Sequence, residues 1–166
     1  FNSKIPKFVD VLRWAVNHEV ILTIDTKRGV DITKIITMIE QEEAEGVAII
    51  ITYNMAQALQ VFKLNPNLLL SVSARNLEEL NRLINSNIPT QNMLAFTGTR
   101  LSPISFYEEL HELGVKTILG TLGNLDKMAA AKGDSLYVNW RSLGVDVIAT
   151  DRPFEVARVL SNLEHH

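Results

Sequence analysis

The sequence predicts an α/β fold in which six parallel strands are joined by helical crossovers. Three observations carry this. Short β-branched apolar runs alternate with segments of helical period along the whole chain. No two-residue hairpin turn separates any pair of the apolar runs, so neighbouring strands need crossover connections. The runs are also near-continuous in Val, Ile and Leu, the pattern of strands covered on both faces.

Each element has its own grounds. Ile5–Asn17 carries Phe8, Val9, Leu12 and Val16 at helical spacing, with Pro6 suited to a first turn. Val20–Ile24 is the first strand. Asp31–Glu43 is a helix with Ile32, Ile35, Ile36 and Ile39 in one stripe and Asp31 as its cap. Val47–Tyr53 is the second strand, Met55–Leu64 a helix stopped before Pro66, and Leu68–Val72 the third strand. Leu77–Ile84 is a helix behind Asn76, and Met93–Phe96 a short fourth strand. Ser102-Pro103 opens a helix that holds Phe106, Tyr107 and Leu110 and closes at Gly114. Lys116–Leu119 is the fifth strand, Leu125–Ala131 a helix, and Ser135–Leu143 a further candidate helix whose first part, Ser135–Trp140, is the irregular part of the chain. Val145–Ala149 is the sixth strand and Pro153–Asn162 the last helix.

Composition narrows the function classes. The 166 residues are 46% hydrophobic and 21% charged, as expected of a globular domain with a sizeable core. A formal net charge of −3 argues against a nucleic-acid partner and offers no basic face to an anionic membrane. The chain has no cysteine, which excludes disulfides and thiolate metal sites. No apolar run is long enough to span a bilayer, and no GxGxxG phosphate fingerprint opens the chain. Phe1 in place of a methionine has the look of a cut. Leu163-Glu164-His165-His166 resembles a vector-derived histidine tag, which leaves residues 1–162 as the folded part.

In parallel sheets and α/β barrels ligands bind at the C-terminal ends of the strands. The first strand delivers Asp25 and Lys27 there, with Thr23, Asp25 and Lys27 on one face. Asp25 is a hard oxygen donor suited to Mg²⁺ or Ca²⁺, and Lys27 a point charge for a phosphate oxygen. The alternative is a plain ion pair closing the mouth, with Asp25 or Arg28 solvated. The second strand delivers Tyr53 and the fifth Thr121, both candidates for lining a substrate pocket, although Gly-Thr-Leu-Gly-Asn is also an ordinary strand-to-helix turn. Asp151, before Arg152-Pro153, reads as a helix cap. His18 ends a helix and His111 lies within one, so neither is placed for acid–base work. Trp14 and Trp140 read as packing.

With these positions in view, the chain resembles the glycerophosphodiester phosphodiesterase family over nearly its whole length, but only the later part of that family's barrel. "IPKFVDVLRWA" resembles the helix before the family's third strand, and "VILTIDTK" that strand, which usually ends Glu-x-Lys. "IIITYNMAQALQVFKLNPNLLL" resembles a strand and helix of the family beginning Ser-Phe. "ELGVKTILGTLGN" falls where the family has a strand followed by Trp-Thr-Val-Asn, and "LGVDVIATDRPFEVARVL" resembles the closing G-V-D-x-I-x-T-D-x-P.

The resemblance implies a (β/α)₈ TIM-barrel type fold, here an incomplete barrel of about six strands. It also implies metal-assisted hydrolysis of a glycerophosphodiester to glycerol 3-phosphate and an alcohol, with Ca²⁺ or Mg²⁺ as cofactor. It carries metal binding over to Asp25, and phosphate contact in catalysis over to Lys27. Two departures stand out: Asp25 is a methylene shorter than the family's Glu, and Gly120 stands where the family has Trp. The family's His-Arg pair, further acids and second His belong to upstream strands. The expectations are therefore a chain inactive by itself, pairing with a second copy through open barrel edges, and a parent exported to the periplasm or outside the cell. Two alternatives stay open: a non-catalytic binding or assembly module that keeps only the scaffold, and a phosphoinositide-type phospholipase.

Overall fold

The computed structural model describes residues 4–27 and 29–161. Arg28 and residues 163–166 lie outside these, and with them the solvation of Arg28 and the tag reading. The chain divides into two compact units, the first running to Val72 with Asn87–Met93, the second comprising Ser73–Ser86 and the chain from Leu94 onward.

In the first unit, α1 (Phe8–His18), β1 (Leu22–Ile24), α2 (Ile32–Gln41), β2 (Ala48–Ile51), α3 (Met55–Leu64) and β3 (Leu69–Ser73, its last residue in the second unit) alternate as predicted. β1 pairs with β2 and β2 with β3, all parallel, Thr23 standing opposite Ile49 and Ile50 opposite Leu70. Leu12, Ala15, Ile36, Ile39, Ile50, Val61 and Leu70 form its buried interior. Asp31 caps α2 by accepting from the Thr33 N–H at 3.0 Å, and Asn54 caps α3 by accepting from the Gln57 N–H.

The second unit holds α4 (Leu77–Ile84), β4 (Met93–Phe96, its first residue in the first unit), α5 (Ile104–Glu112), β5 (Lys116–Gly120), α6 (Asn124–Lys132), α7 (Ser135–Ser142), β6 (Val147–Ala149) and α8 (Pro153–Ser161). β4 pairs with β5 and β5 with β6, again parallel. Tyr107, Leu119, Ala129, Tyr137, Trp140 and Val145 make its core. The strands follow chain order in the sheet, β1 to β6. The α/β fold of parallel strands and helical crossovers is therefore as expected.

Some boundaries differ, each for a physical reason. α1 starts at Phe8, leaving Ile5 94% exposed. Pro6 disfavours helical geometry at Ile5, and Lys7 is extended. β1 starts at Leu22 because the Val20 N–H is spent on the Ala15 carbonyl, in a helix end closed by Glu19 at φ 54°. β6 starts at Val147 because the Asp146 N–H donates to the Thr117 hydroxyl. The candidate helix at Ser135–Leu143 is present as Ser135–Ser142. Trp140 is buried as expected, but Trp14 is half-exposed, its ring stacked on His18 at 4.8 Å.

Candidate functional site

β1 runs out of the first unit's core into a polar cluster. Leu22 and Ile24 are half-buried, whereas Thr23, Asp25 and Lys27 are exposed, so the three lie on one face as the alternation requires. The Lys27 Nζ donates to Asp25 Oδ2 at 2.7 Å, and the Tyr53 hydroxyl donates to Asp25 Oδ1 at 2.9 Å. Tyr53 sits at the end of β2, held by its own N–H bond to the Gln57 side chain at 2.9 Å. Sequence reading placed Tyr53 at this mouth but did not foresee that it would grip Asp25.

These bonds set the electrostatics. Donation from Lys27, and next from Tyr53, lowers the Asp25 carboxyl below the ordinary carboxylate range. The hydrogen bond it donates to Asp25 raises Lys27, and the same carboxylate raises the Tyr53 hydroxyl. Asp25 is therefore an anion and Lys27 a cation at neutral pH. An open cavity of about 620 Å³ lies beside them, lined by Asp25, Lys27, Tyr53, Asp31, Gln57 and Gln60 over Ile50 and Val61. The Lys27 side chain is 82% exposed. An ion pair this open is weakly held and readily screened.

The same geometry bears on a metal. No group of three or more His, Asp or Glu converges among the described residues. Asp25 is one carboxylate with both oxygens engaged, and a hard cation takes six or more oxygen ligands. The described residues do not fit a complete cation site; Asp25 offers one ligand.

Thr121 belongs to the second unit and is fully buried. Its hydroxyl donates to the Ala149 carbonyl at 3.2 Å and its N–H to the same oxygen at 2.8 Å, tying the end of β5 to β6. It is not among the residues lining the cavity beside Asp25.

Sequence reading passed over a second acid. Asp126, in the first turn of α6, is only 5% exposed. It accepts from the Tyr137 hydroxyl, the Thr150 hydroxyl and the Asp151 N–H, each at 2.9 Å. Arg152 extends this network to Asp134 at 2.7 Å. At the turn read as an Asp151 cap, the accepting side chains are Thr150, for the Arg152 N–H, and Asp126, for the Asp151 N–H. An acid in a first helical turn is ordinarily a solvated partner of the helix dipole, so nothing local marked Asp126 as buried. At the opposite ends of β5 and β6, His111 and the Thr117 N–H meet Asp146 at 2.9 and 2.8 Å.

Comparison with protein-family models and with curated proteins gives no match. Solved structures do match. A glycerophosphoryl diester phosphodiesterase from Parabacteroides distasonis aligns at 28% identity and a TM-score of 0.87, over 98% of this chain and 57% of that one. A second glycerophosphodiester phosphodiesterase from the same organism aligns at 18% identity and a TM-score of 0.71, over 98% of this chain and 66% of that one. The chain thus spans under two thirds of the length of either. In fold the chain is similar to these glycerophosphodiester phosphodiesterases.

Proposed function

We propose that this chain is the C-terminal part of a metal-dependent glycerophosphodiester phosphodiesterase, which hydrolyses a glycerophosphodiester to glycerol 3-phosphate and an alcohol. The observation that carries the reading is the Asp25–Lys27–Tyr53 cluster at the end of a parallel strand, beside an open cavity. Lys27 would leave Asp25 to hold a phosphoryl oxygen of the substrate. Tyr53 would keep the carboxylate oriented while Lys27 is engaged elsewhere, and would border the substrate. Asp25 would supply one oxygen ligand to a divalent cation, Ca²⁺ or Mg²⁺, whose role when bound is to withdraw charge from the phosphoryl group. The described residues do not complete that cation site, so the remaining donors are the family's upstream acids and histidine, and this chain alone is without turnover. Thr121 remains a proposed substrate contact only if a ligand reaches the end of β5. The parent is proposed to be exported, on the family resemblance, and the isolated chain to self-associate.

Turnover of glycerophosphodiesters by the full-length parent, with and without Ca²⁺ or Mg²⁺, tests the reading. Metal-dependent release of glycerol 3-phosphate that is abolished in Asp25→Ala is the expected result. Equal rates in the parent and the variant sink it.

A second reading, a scaffold that binds without chemistry, is favoured by one observation: both Asp25 oxygens are satisfied by the chain's own side chains. Turnover by the parent would eliminate it.

A further inference from the structure

Among the described residues of the second unit, the four most exposed large apolar side chains lie at one end of it. Leu77 opens α4, Ile104 opens α5, Leu122 stands between β5 and α6, and Phe154 is the second residue of α8. Leu101, between β4 and α5, joins them. Each sits in a connection that leaves the C-terminal end of a strand. Backbone bonds hold those strand ends side by side: the Ala74 N–H donates to the Phe96 carbonyl at 2.9 Å, the Thr97 N–H to the Ile118 carbonyl at 2.9 Å and the Thr121 N–H to the Ala149 carbonyl at 2.8 Å. Four neighbouring connections therefore share one rim. Phe154 is 86% exposed, so its ring is held in water with nothing in the unit covering it.

The charge of the rim is nearly balanced. Arg75 is bonded to Glu79 and Arg152 to Asp134. Arg100 and Lys127 are exposed and form no ion pair among the described residues, and Asp151 is in the same position. Apolar side chains carried singly on separate connections do not make the continuous complementary face that a folded protein partner packs against. They fit a surface that yields around each of them, as the boundary between the phosphates and the acyl chains of a bilayer does. The two unpaired cations are complementary to the phosphate that every phospholipid carries.

We infer that this rim docks on a phospholipid bilayer: Phe154, Leu122, Leu77 and Ile104 enter the acyl boundary, and Arg100 and Lys127 meet lipid phosphate. The inference uses no residue of the Asp25 cluster, so it stands or falls apart from the phosphodiesterase reading.

Co-sedimentation of this chain with phosphatidylcholine vesicles tests it. Phe154→Ala is expected to weaken binding about tenfold and Leu122→Ala about threefold, since each removes apolar area that the bilayer covers. Both side chains are exposed, so the fold is not at stake. Ile84→Ala is the control: Ile84 is also exposed, but it ends α4, away from the rim, and its loss should change nothing. Two unpaired cations are too few for attachment by charge. Binding should therefore need no anionic lipid and should persist at about 0.5 M salt.

No vesicle binding by the unaltered chain overturns the inference, as does an equal loss in Phe154→Ala and Ile84→Ala. Binding to anionic vesicles alone, lost in salt, is adsorption by charge and overturns it too. Light scattering covers the remaining occupant: if Phe154→Ala abolishes self-association of a chain that ignores vesicles, the rim belongs to a second copy and the bilayer is ruled out.

Discussion

Asp126 shows what a residue can hide from its sequence. Buried with its oxygens facing a tyrosine hydroxyl, a threonine hydroxyl and an N–H, it organises the end of β6 from a helix 24 residues upstream. Burial pushes its carboxyl up, but the neighbouring Thr121 hydroxyl and the bonds from the Asp151 N–H, Tyr137 and Thr150 outweigh burial and bring it below the ordinary value. Asp146 behaves alike: burial raises it, while the Thr117 N–H and His111 lower it further than that. A carboxyl whose folded pKa is depressed binds fewer protons folded than unfolded. Its stabilisation is whole above the unfolded value of about 3.9 and is lost as pH falls through the folded one. Tm should therefore hold down to about pH 5 and fall steeply below it. Asp126→Asn, which turns an amide NH₂ toward donors, should cost about 3 kcal/mol at neutral pH, or roughly 6–12 °C in Tm. The variant should also lose part of the acid slope. Calorimetric scans across that pH range check both, and an unchanged slope would assign the acid sensitivity elsewhere. By contrast, the shared face of Asp25 and Lys27 was legible, because strand alternation is a local rule. The Tyr53 bond to Asp25 joins residues 28 apart in the chain and was not.

At the scale of elements, the Asp31 cap and the start of a helix behind Asn76 were legible, whereas the cap at Asn54 was not read. Asp31, Asn54 and Asn76 each accept an N–H two or three residues on, and α3 and α4 begin just where the sequence places them. Boundaries slipped where a backbone group found a partner outside its own element, as at Val20 and Asp146. Gly144, between α7 and β6, is the tightest of these joints. Its φ is +109°, and a Cβ would stand 2.7 Å from the Cβ of the fully buried Tyr107. Its carbonyl also receives the Thr117 hydroxyl at 2.7 Å. Gly144→Ala combines a left-handed penalty with a clash that Tyr107 cannot relieve by rotating, so about 3 kcal/mol of stability should be lost. Gly46 has no such constraint, with nothing within 4 Å of a Cβ and no positive φ. Gly46→Ala should be within about 0.5 kcal/mol of the parent chain. Urea unfolding of the pair separates the two, and equal midpoints would show that the joint at Gly144 relaxes freely.

For the molecule as a whole, alternation of period and composition was sufficient to read six parallel strands, because each rule involved acts over a few residues. The division into two compact units was not legible; it depends on which distant segments meet, and Asn87–Met93 joining the first unit has no signature in its own sequence. The ends of the strand order have a physical consequence. Among the described residues, β1 neighbours only β2, and β6 only β5. Such strands present unpaired N–H and C=O groups to any chain that can pair with them. Natural edges are usually guarded by charge or proline, yet Ile21 is 62% exposed beside β1 and Val147 40% exposed in β6. The self-association proposed above would satisfy the backbone groups and cover the apolar side chains together. Light scattering on the isolated chain should therefore give about twice its 18.6 kDa mass, rising toward that value with concentration. Ile21→Lys places a charge against the pairing edge and should return the chain to a monomer with its circular dichroism unchanged. A monomer for the unaltered chain across the concentration range would mean that these edges are protected by something other than a second copy, and the proposed association would fall.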